Sequence, residues 1–301
     1  MKVFVTGVNG QVGHDVMQEL VNRGHRAIGS GSSKIYRGTD SVADMPYIQM
    51  DVTDAEEVME RITELKPDAV IHCSAWTAVD AAEDEENREK VYALNVKGPE
   101  NIAKSCHDVG AKLVYLSTDY VFDGQGDRPW QPEDTLFAPV NVYGQSKLEG
   151  EFAIVRNTNK FFIVRIAWVF GLNGRNFVKT MINVGKEHES VRVVKDQIGT
   201  PTYSKDLARL LVDMIETDKY GYYHATNEGG YISWYEFCKE IYRQYGLKTE
   251  VIPVSTAEYG LSKASRPFNS RLDKSKLLLT GFSLLPDWRD AVRRYLEEAK
   301  L

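Results

Sequence analysis

The chain has 301 residues, 43% hydrophobic and 27% charged, which excludes disorder, collagen and coiled coil as its bulk state and fits one large or two smaller globular domains. Its 37 basic and 43 acidic side chains leave a net charge of −6, arguing against a nucleic-acid surface as the main function while allowing a local basic pocket. No apolar run reaches the roughly 18 residues of a membrane span, and Cys73, Cys106 and Cys238 are too scattered for a disulfide framework or a zinc site, so the expectation is a cytoplasmic enzyme with no membrane or nucleic-acid partner.

Strand and helix signals alternate through the first half. Lys2 to Thr6 reads as a buried strand, and Gln11 to Arg23 as a helix with Val12, Val16, Met17 and Leu20 on one face. His25 to Gly29 and Tyr47 to Met50 are further strands. Thr53 or Asp54 is placed to cap a helix from Ala55 to Leu65, with Glu56 or Glu57 in the capping-box position. Asp68 to His72 is a fourth strand, Glu86 to Val109 one long crossover helix, Lys112 to Ser117 a fifth strand and Phe161 to Ala167 a sixth. Strands separated by helices pair in parallel with right-handed crossovers, so the fold class is α/β, a doubly wound parallel Rossmann sheet whose ligands sit at the C-terminal strand ends. After residue 170 the pattern becomes irregular. Helices are expected near Asn176 to Val184, Ser204 to Ile215 and Ser233 to Tyr245, with a last amphipathic helix starting at Pro286. The expected division is a dinucleotide-binding domain over 1–170 and a smaller substrate-binding lobe over 171–301, with segments of the second half free to return to the first sheet.

Gly7-Val8-Asn9-Gly10-Gln11-Val12-Gly13 joins the first strand to the first helix. One glycine permits an unusual turn, a second lets a pyrophosphate approach, and the third lets helix and sheet pack closely, while the helix N-terminus offers unpaired N–H groups. The spacing is GxxGxxG, and no Walker A lysine follows. After the second strand no acid stands between Gly24 and Thr39 to meet a ribose 2′-hydroxyl. Ser32, Ser33, Lys34 and Arg37 are instead suited to a 2′-phosphate. NADPH is therefore the expected cofactor, with NADH left open. Asp51 and Val52 are placed to flank the adenine, and Ser74 and Ala75 are small enough for a cofactor to cross. His72 reads as the end of a buried strand, and Cys73 as filler.

Tyr143 and Lys147 are four residues apart and share a helix face. An ammonium near a phenol lowers its pKa, and the phenol can then donate a proton to a carbonyl oxygen as hydride reaches the carbon. Lys147 can also bond the nicotinamide ribose. The Thr118 hydroxyl, after the fifth strand, can polarise the same carbonyl.

These pieces, with Thr77-Ala78-Val79-Asp80-Ala81-Ala82-Glu83, Leu116 to Gly124, Tyr143 to Gly150, Arg165 to Gly171, Gly174 to Phe177, Asp196 to Thr202, Arg266-Pro267 and Ser270 to Asp273, make the chain similar to the dTDP-4-dehydrorhamnose reductase family of extended short-chain dehydrogenase/reductases over nearly its whole length. The resemblance implies a catalytic set of Thr118, Tyr143 and Lys147, and reduction of the 4-keto group of dTDP-4-dehydro-L-rhamnose. It implies cofactor contacts from Gly7, Asn9, Gly10, Gln11, Val12 and Gly13, and substrate contacts from Thr77, Val79, Thr118, Asp119, Trp168, Arg266 and Asn269. Two departures stand out. Trp76 occupies a position where the family often has tyrosine. Asp15, a shorter carboxylate, falls where some members use glutamate to hold magnesium at a dimer interface, so no metal site is assigned, and both magnesium and a homodimer stay open. Two alternatives remain: another 4-keto nucleotide-sugar reductase or epimerase, and a non-catalytic NADP-binding regulatory subunit like the beta subunit of methionine adenosyltransferase. The intact Thr118, Tyr143 and Lys147 favour an enzyme.

Overall fold

The computed structural model describes residues 1–36 and 44–300. The first half runs β1 (Lys2–Thr6), α1 (Gln11–Asn22), β2 (Arg26–Gly31), β3 (Tyr47–Gln49), α2 (Ala55–Leu65), β4 (Ala69–His72), α3 (Glu85–Tyr92), α4 (Gly98–Val109), β5 (Lys112–Thr118), α5 (Val142–Asn157) and β6 (Phe161–Ile166). The second runs β7 (Val169–Phe170), α6 (Phe177–Glu187), β8 (Ser190–Val194), β9 (Ile198–Gly199), β10 (Thr202–Tyr203), α7 (Ser204–Ile215), β11 (Gly221–His224), β12 (Asn227–Glu228), β13 (Ile232–Ser233) and α8 (Trp234–Tyr245). It closes with β14 (Glu250–Val254), α9 (Thr256–Tyr259), α10 (Ser275–Leu279), β15 (Leu285–Asp287) and α11 (Trp288–Ala299).

Among the described residues seven strands form one parallel sheet in the order β11-β6-β5-β4-β1-β2-β3. Side-chain alternation along β1 explains the layering. Val3 and Val5 enter one buried cluster with Val16, Met17 and Leu20 of α1 and Leu207 and Leu211 of α7. Phe4 enters the opposite cluster, with Val58 and Ile62 of α2 and Ile102 and Cys106 of α4. Burying Val16, Met17 and Leu20 completely stabilises α1 against the sheet by roughly 1.5–3 kcal/mol per side chain. The order reverses between β1 and β4, and a crevice opens there at the carboxyl ends of the strands.

The chain beyond residue 170 contributes α7 and β11 to this sheet. It also builds a separate buried cluster around Phe170, Phe237, Ile241, Trp288 and Tyr295.

Three local expectations need correction. The single crossover helix from Glu86 to Val109 is interrupted by a π-helical turn over Ala93–Lys97. Within it Asn95 is fully buried. Its Oδ1 accepts from the Trp76 backbone N–H at 2.8 Å, and its Nδ2 donates to Ser146 Oγ at 2.9 Å. The extra residue in the turn turns this amide inward, a use of π-bulges common near ligand sites. At α2, Asp54 is the N-cap and accepts from the Glu56 and Glu57 N–H groups, but the Glu57 carboxylate accepts from the Asp51 N–H, so no reciprocal capping box forms. At the C-terminus, Pro286 lies in β15 and the final helix starts at Trp288, with Asp287 capping Arg289 N.

Candidate active site

The turn after β1 is shaped by backbone contact. Gly7 adopts φ 70°, and a Cβ there would lie 2.7 Å from Cys73 C and Ser74 N. A Cβ on Gly13 would lie 2.4 Å from the Gly7 carbonyl oxygen. The turn thus seats on the end of β4, and α1 seats on the turn. Gly10 caps α1 with no side-chain hydrogen bond, and no acid stands in the first helical turn. The first N–H groups of α1 therefore face the crevice, where an anion is favoured.

A cleft of about 260 Å³ follows, lined by Gly7, Asn9, Gly10, Ser32, Ser33, Asp51, Val52, Ser74 and Ala75, nine of the positions expected to meet the cofactor. Gly31, Met50, Cys73 and Leu94 also line it and were not foreseen. Leu94 could not have been, because only the π-turn brings it there. Gln11, Val12 and Gly13 do not line the cleft. Val12 is buried, Gly13 packs on the turn, and the Gln11 amide oxygen accepts from Asn176 at 3.3 Å. Their part in an anion cradle is backbone. Tyr47 Oη donates to the Gly31 and Ser33 carbonyls at 3.0 and 2.5 Å, and Gln49 donates to the Ser32 carbonyl at 3.1 Å, so the Ser32–Ser33 loop is held from β3. Lys34 is exposed. Arg37 lies outside the described residues. The Asp51 carboxylate is taken by the Thr53 N–H and hydroxyl at 2.9 and 2.8 Å.

Thr118 ends β5, and Tyr143 and Lys147 occupy the first two turns of α5, whose N-cap Asn141 accepts from Gly144 N at 2.7 Å. Burial pushes the Tyr143 phenol up to about 12, its hydrogen bond with Thr118 opposes the rise and Asp119 adds to it. The Lys147 Nζ donates to the Leu116 carbonyl at 2.7 Å and lies 4.1 Å above the Tyr115 ring. Burial lowers the Lys147 ammonium to about 7, opposed by Glu151. At neutral pH Tyr143 is therefore protonated, the state a proton donor requires.

Thr118 donates to Asp119 Oδ1 at 3.0 Å and accepts from Tyr120 N at 3.3 Å. Burial raises the Asp119 carboxyl to about 6 against the pull of Ser270 and Thr118. His72 is buried, holds Thr6 Oγ1 at 2.8 Å and is pushed down to about 3 by burial, as suits a strand end. Burial raises the Cys73 thiol to about 12, which leaves it no nucleophilic thiolate at neutral pH.

The remaining predicted positions lie around this group. Arg266 donates to Asp80 Oδ2 at 2.7 Å, its Nη1 is buried without a partner, and it acts on Tyr120. Tyr120 meets Tyr143 edge to face at 5.5 Å. Tyr120 thus bridges Tyr143 and Arg266, a role that its place beside Asp119 could have suggested. The 263–266 segment is strapped down by Lys263 to Asp84, by Ala264 N to Asp80 at 3.0 Å and by Asn141 to the Ser265 carbonyl at 2.7 Å. Trp168 has φ 52° and stacks on Trp234 at 3.8 Å, a partner with no signal in the sequence. Thr77 is exposed and Val79 half-buried.

Asn269 is a correction. Its Nδ2 donates to the Gln125 and Arg128 carbonyls at 3.2 and 2.8 Å, and its Oδ1 accepts from Arg271. The amide is spent clamping the 125–128 loop, which leaves no group for a substrate.

The carboxylates around Asp15 do not fit a magnesium ion. Asp15 accepts from Ser204 Oγ, Glu298 accepts from Lys205 at 2.7 Å, and Asp206 holds Arg294 through both oxygens at 2.8 and 2.7 Å. Lys205 and Arg294 thus pair two of the three carboxylates, and Asp15 is held by a hydroxyl. Among the described residues no group of three or more His, Cys, Asp or Glu side chains is arranged to hold a metal ion. No described helix is long and apolar enough to cross a membrane.

The parallel sheet with its reversal at β1/β4, the glycine turn in that crevice and the Tyr143–Lys147 helix beside it define a Rossmann-type reductase architecture. Comparison with known proteins narrows the class. The chain belongs to the RmlD substrate binding domain family, whose model matches residues 1–301. It is 36% identical over 297 residues to the spore coat polysaccharide biosynthesis protein SpsK of Bacillus subtilis, covering 99% of this chain and 97% of that one. It is 36% identical over 309 residues to dTDP-4-dehydrorhamnose reductase of Salmonella typhimurium, covering 99% and 98%. A crystal structure of dTDP-4-dehydrorhamnose reductase from Bacillus anthracis in complex with NADP superposes with a TM-score of 0.89 at 40% identity, covering 99% of this chain and 100% of that one.

Proposed function

We propose that this chain is an NADPH-dependent reductase that converts the 4-keto group of dTDP-4-dehydro-L-rhamnose to the alcohol of dTDP-L-rhamnose. The observation that carries this reading is the meeting, at one end of the sheet, of a cleft lined by nine of the expected cofactor positions with Lys147, which acts on Cys73 in the cleft wall, and with the Thr118–Tyr143 pair. Full-length similarity to named reductases supports the substrate. The residues present fit a dinucleotide: bare N–H groups at the start of α1 suit a pyrophosphate, and the serine-lined, acid-free loop after β2 suits a 2′-phosphate. When bound, the reduced nicotinamide supplies the hydride.

The chain's own residues supply the rest. Thr118 turns its hydroxyl from Asp119 to the keto oxygen and polarises it. The protonated Tyr143 phenol gives its proton to that oxygen as the negative charge develops. The Lys147 ammonium bonds the nicotinamide ribose. Arg266, stiffened by Pro267, meets the diphosphate with its unpartnered Nη1. Trp168, braced by Trp234, offers an apolar wall to the sugar. Free cysteines at Cys73, Cys106 and Cys238 suit a reducing, cytoplasmic compartment.

Purified protein given NADPH and dTDP-4-dehydro-L-rhamnose, with the product configuration read by NMR, tests this. Rhamnose-configured product is the expected result. A product of another configuration, or no turnover together with tight NADP binding, would overturn it.

A further inference from the structure

A buried ion pair stands behind the site. Glu151 and Arg165 are almost fully excluded from solvent. Arg165 Nε and Nη2 donate to the two Glu151 oxygens at 2.9 and 2.7 Å, and its Nη1 donates to the Pro132 carbonyl at 3.2 Å. The guanidinium also lies 5.0 Å from the Phe122 ring and 4.9 Å from the Tyr222 ring. Such a pair is weak support for stability, because desolvation offsets most of the attraction, and apolar replacements often fold as well. Its placement is more telling. Glu151 lies one helical turn beyond Lys147 and two beyond Tyr143 on α5, and it accepts from Ser117 Oγ at 2.5 Å, next to Thr118 on β5.

We propose that Glu151, locked by Arg165, is a positioning residue that ties the Thr118 end of β5 to the Lys147 turn of α5 and sets a carboxylate one helical turn from the Lys147 ammonium. This rests on the reading of Lys147 as an ammonium that serves the reaction. The titratable groups that act on or contact Lys147 are His72 and Cys73 from the end of β4, Tyr115 from β5 and Glu151 from α5, with the Arg165 guanidinium of β6 behind Glu151. Burial keeps the imidazole unprotonated and the thiol and the phenol protonated at neutral pH. Glu151 is thus the anion of the set, and it opposes the desolvation that drives the Lys147 ammonium down.

The sign of the effect follows. With a cationic Lys147 required, kcat/KM falls as pH rises through the lysine's titration. Removing the Glu151 charge alone moves that alkaline limb to lower pH by about one pH unit, and removing Arg165 with it takes away an opposing cation, so the double variant moves the limb less far. The test compares pH profiles of E151Q, the double variant E151M/R165M and K147A, each with its melting temperature. The double variant removes both charges, so it supplies the measurement where E151Q alone fails to fold. The expected result is a limb displaced downward in the Glu151 variants, including a double variant with near-parental melting, and no such limb in K147A. A limb at its parental pH in a folded double variant, with the limb absent in K147A, overturns the role of Glu151 and leaves that of Lys147 standing. A limb that persists in K147A overturns the reading of Lys147 and this proposal with it.

Discussion

Gly13→Ala is a severe test of how the crevice is built, because two effects of known size oppose each other. Alanine in a helix interior is favoured over glycine by about 1 kcal/mol. Against that, the new Cβ would lie 2.4 Å from the Gly7 oxygen, 2.8 Å from Gly7 C and 2.9 Å from Val8 Cα. Non-bonded carbons rest about 3.5–4.0 Å apart, so turn and helix must separate by on the order of 1 Å. The atoms met are backbone, and the turn is pinned on its other side by Cys73 and Ser74. Overpacking of this kind costs about 3 kcal/mol, the top of the usual range, so the net change is a destabilisation of about 2 kcal/mol, seen as a melting point lower by a few degrees. The displaced N–H groups should also raise the NADPH dissociation constant about tenfold or more, since every 1.4 kcal/mol of lost contact is about tenfold. Calorimetric melting and titration with NADPH measure both. Gly10→Ala is the control for melting alone, because its Cβ meets only the Gly7 oxygen, at 3.2 Å, while the residue itself lines the cofactor cleft. A Gly13→Ala protein that melts like the parent and binds NADPH within a factor of two would refute this account of the turn.

Tyr143→Phe keeps the ring against Tyr120 and removes the donated proton. kcat should drop about 10²–10⁴-fold with cofactor affinity nearly unchanged, and retention of half the turnover would remove Tyr143 from the acid role. Arg266→Ala loses a half-exposed pair with Asp80, worth about 0–1 kcal/mol of stability. KM for the nucleotide sugar should nevertheless rise about tenfold or more, and an unchanged KM would take the diphosphate away from this residue. Steady-state kcat/KM should favour NADPH over NADH, given the acid-free loop after β2; a clear NADH preference would contradict the assignment of Ser32 and Ser33. Asn269→Ala should release the 125–128 loop and lower stability by about 1–3 kcal/mol. Limited proteolysis would report the loosened loop, and loss of substrate affinity without any loss of stability would restore Asn269 to the substrate site.

Local chemistry made much of this molecule legible without coordinates. The alternation of short apolar strands with amphipathic helices is periodic, and burial demands that periodicity, so β1, α1, α2 and β5 could be placed within a few residues. The glycine turn and the Tyr143–Lys147 spacing were legible for the same reason: each is a short-range requirement of backbone contact or of one helical turn. Long-range contacts decided what was not. That the Lys147 ammonium donates to the Leu116 carbonyl, on another element, is not written in the helix spacing. Asn269 looks like a free polar group until Gln125 and Arg128 arrive from far along the chain to use it up. Leu94 and Asn95 read as part of a regular helix until packing against Trp76 and Ser146 turns one residue inward. Periodicity reports which face of an element is buried. It does not report which group from elsewhere in the chain will satisfy a buried donor, acceptor or charge, and that pairing is settled only when the elements meet.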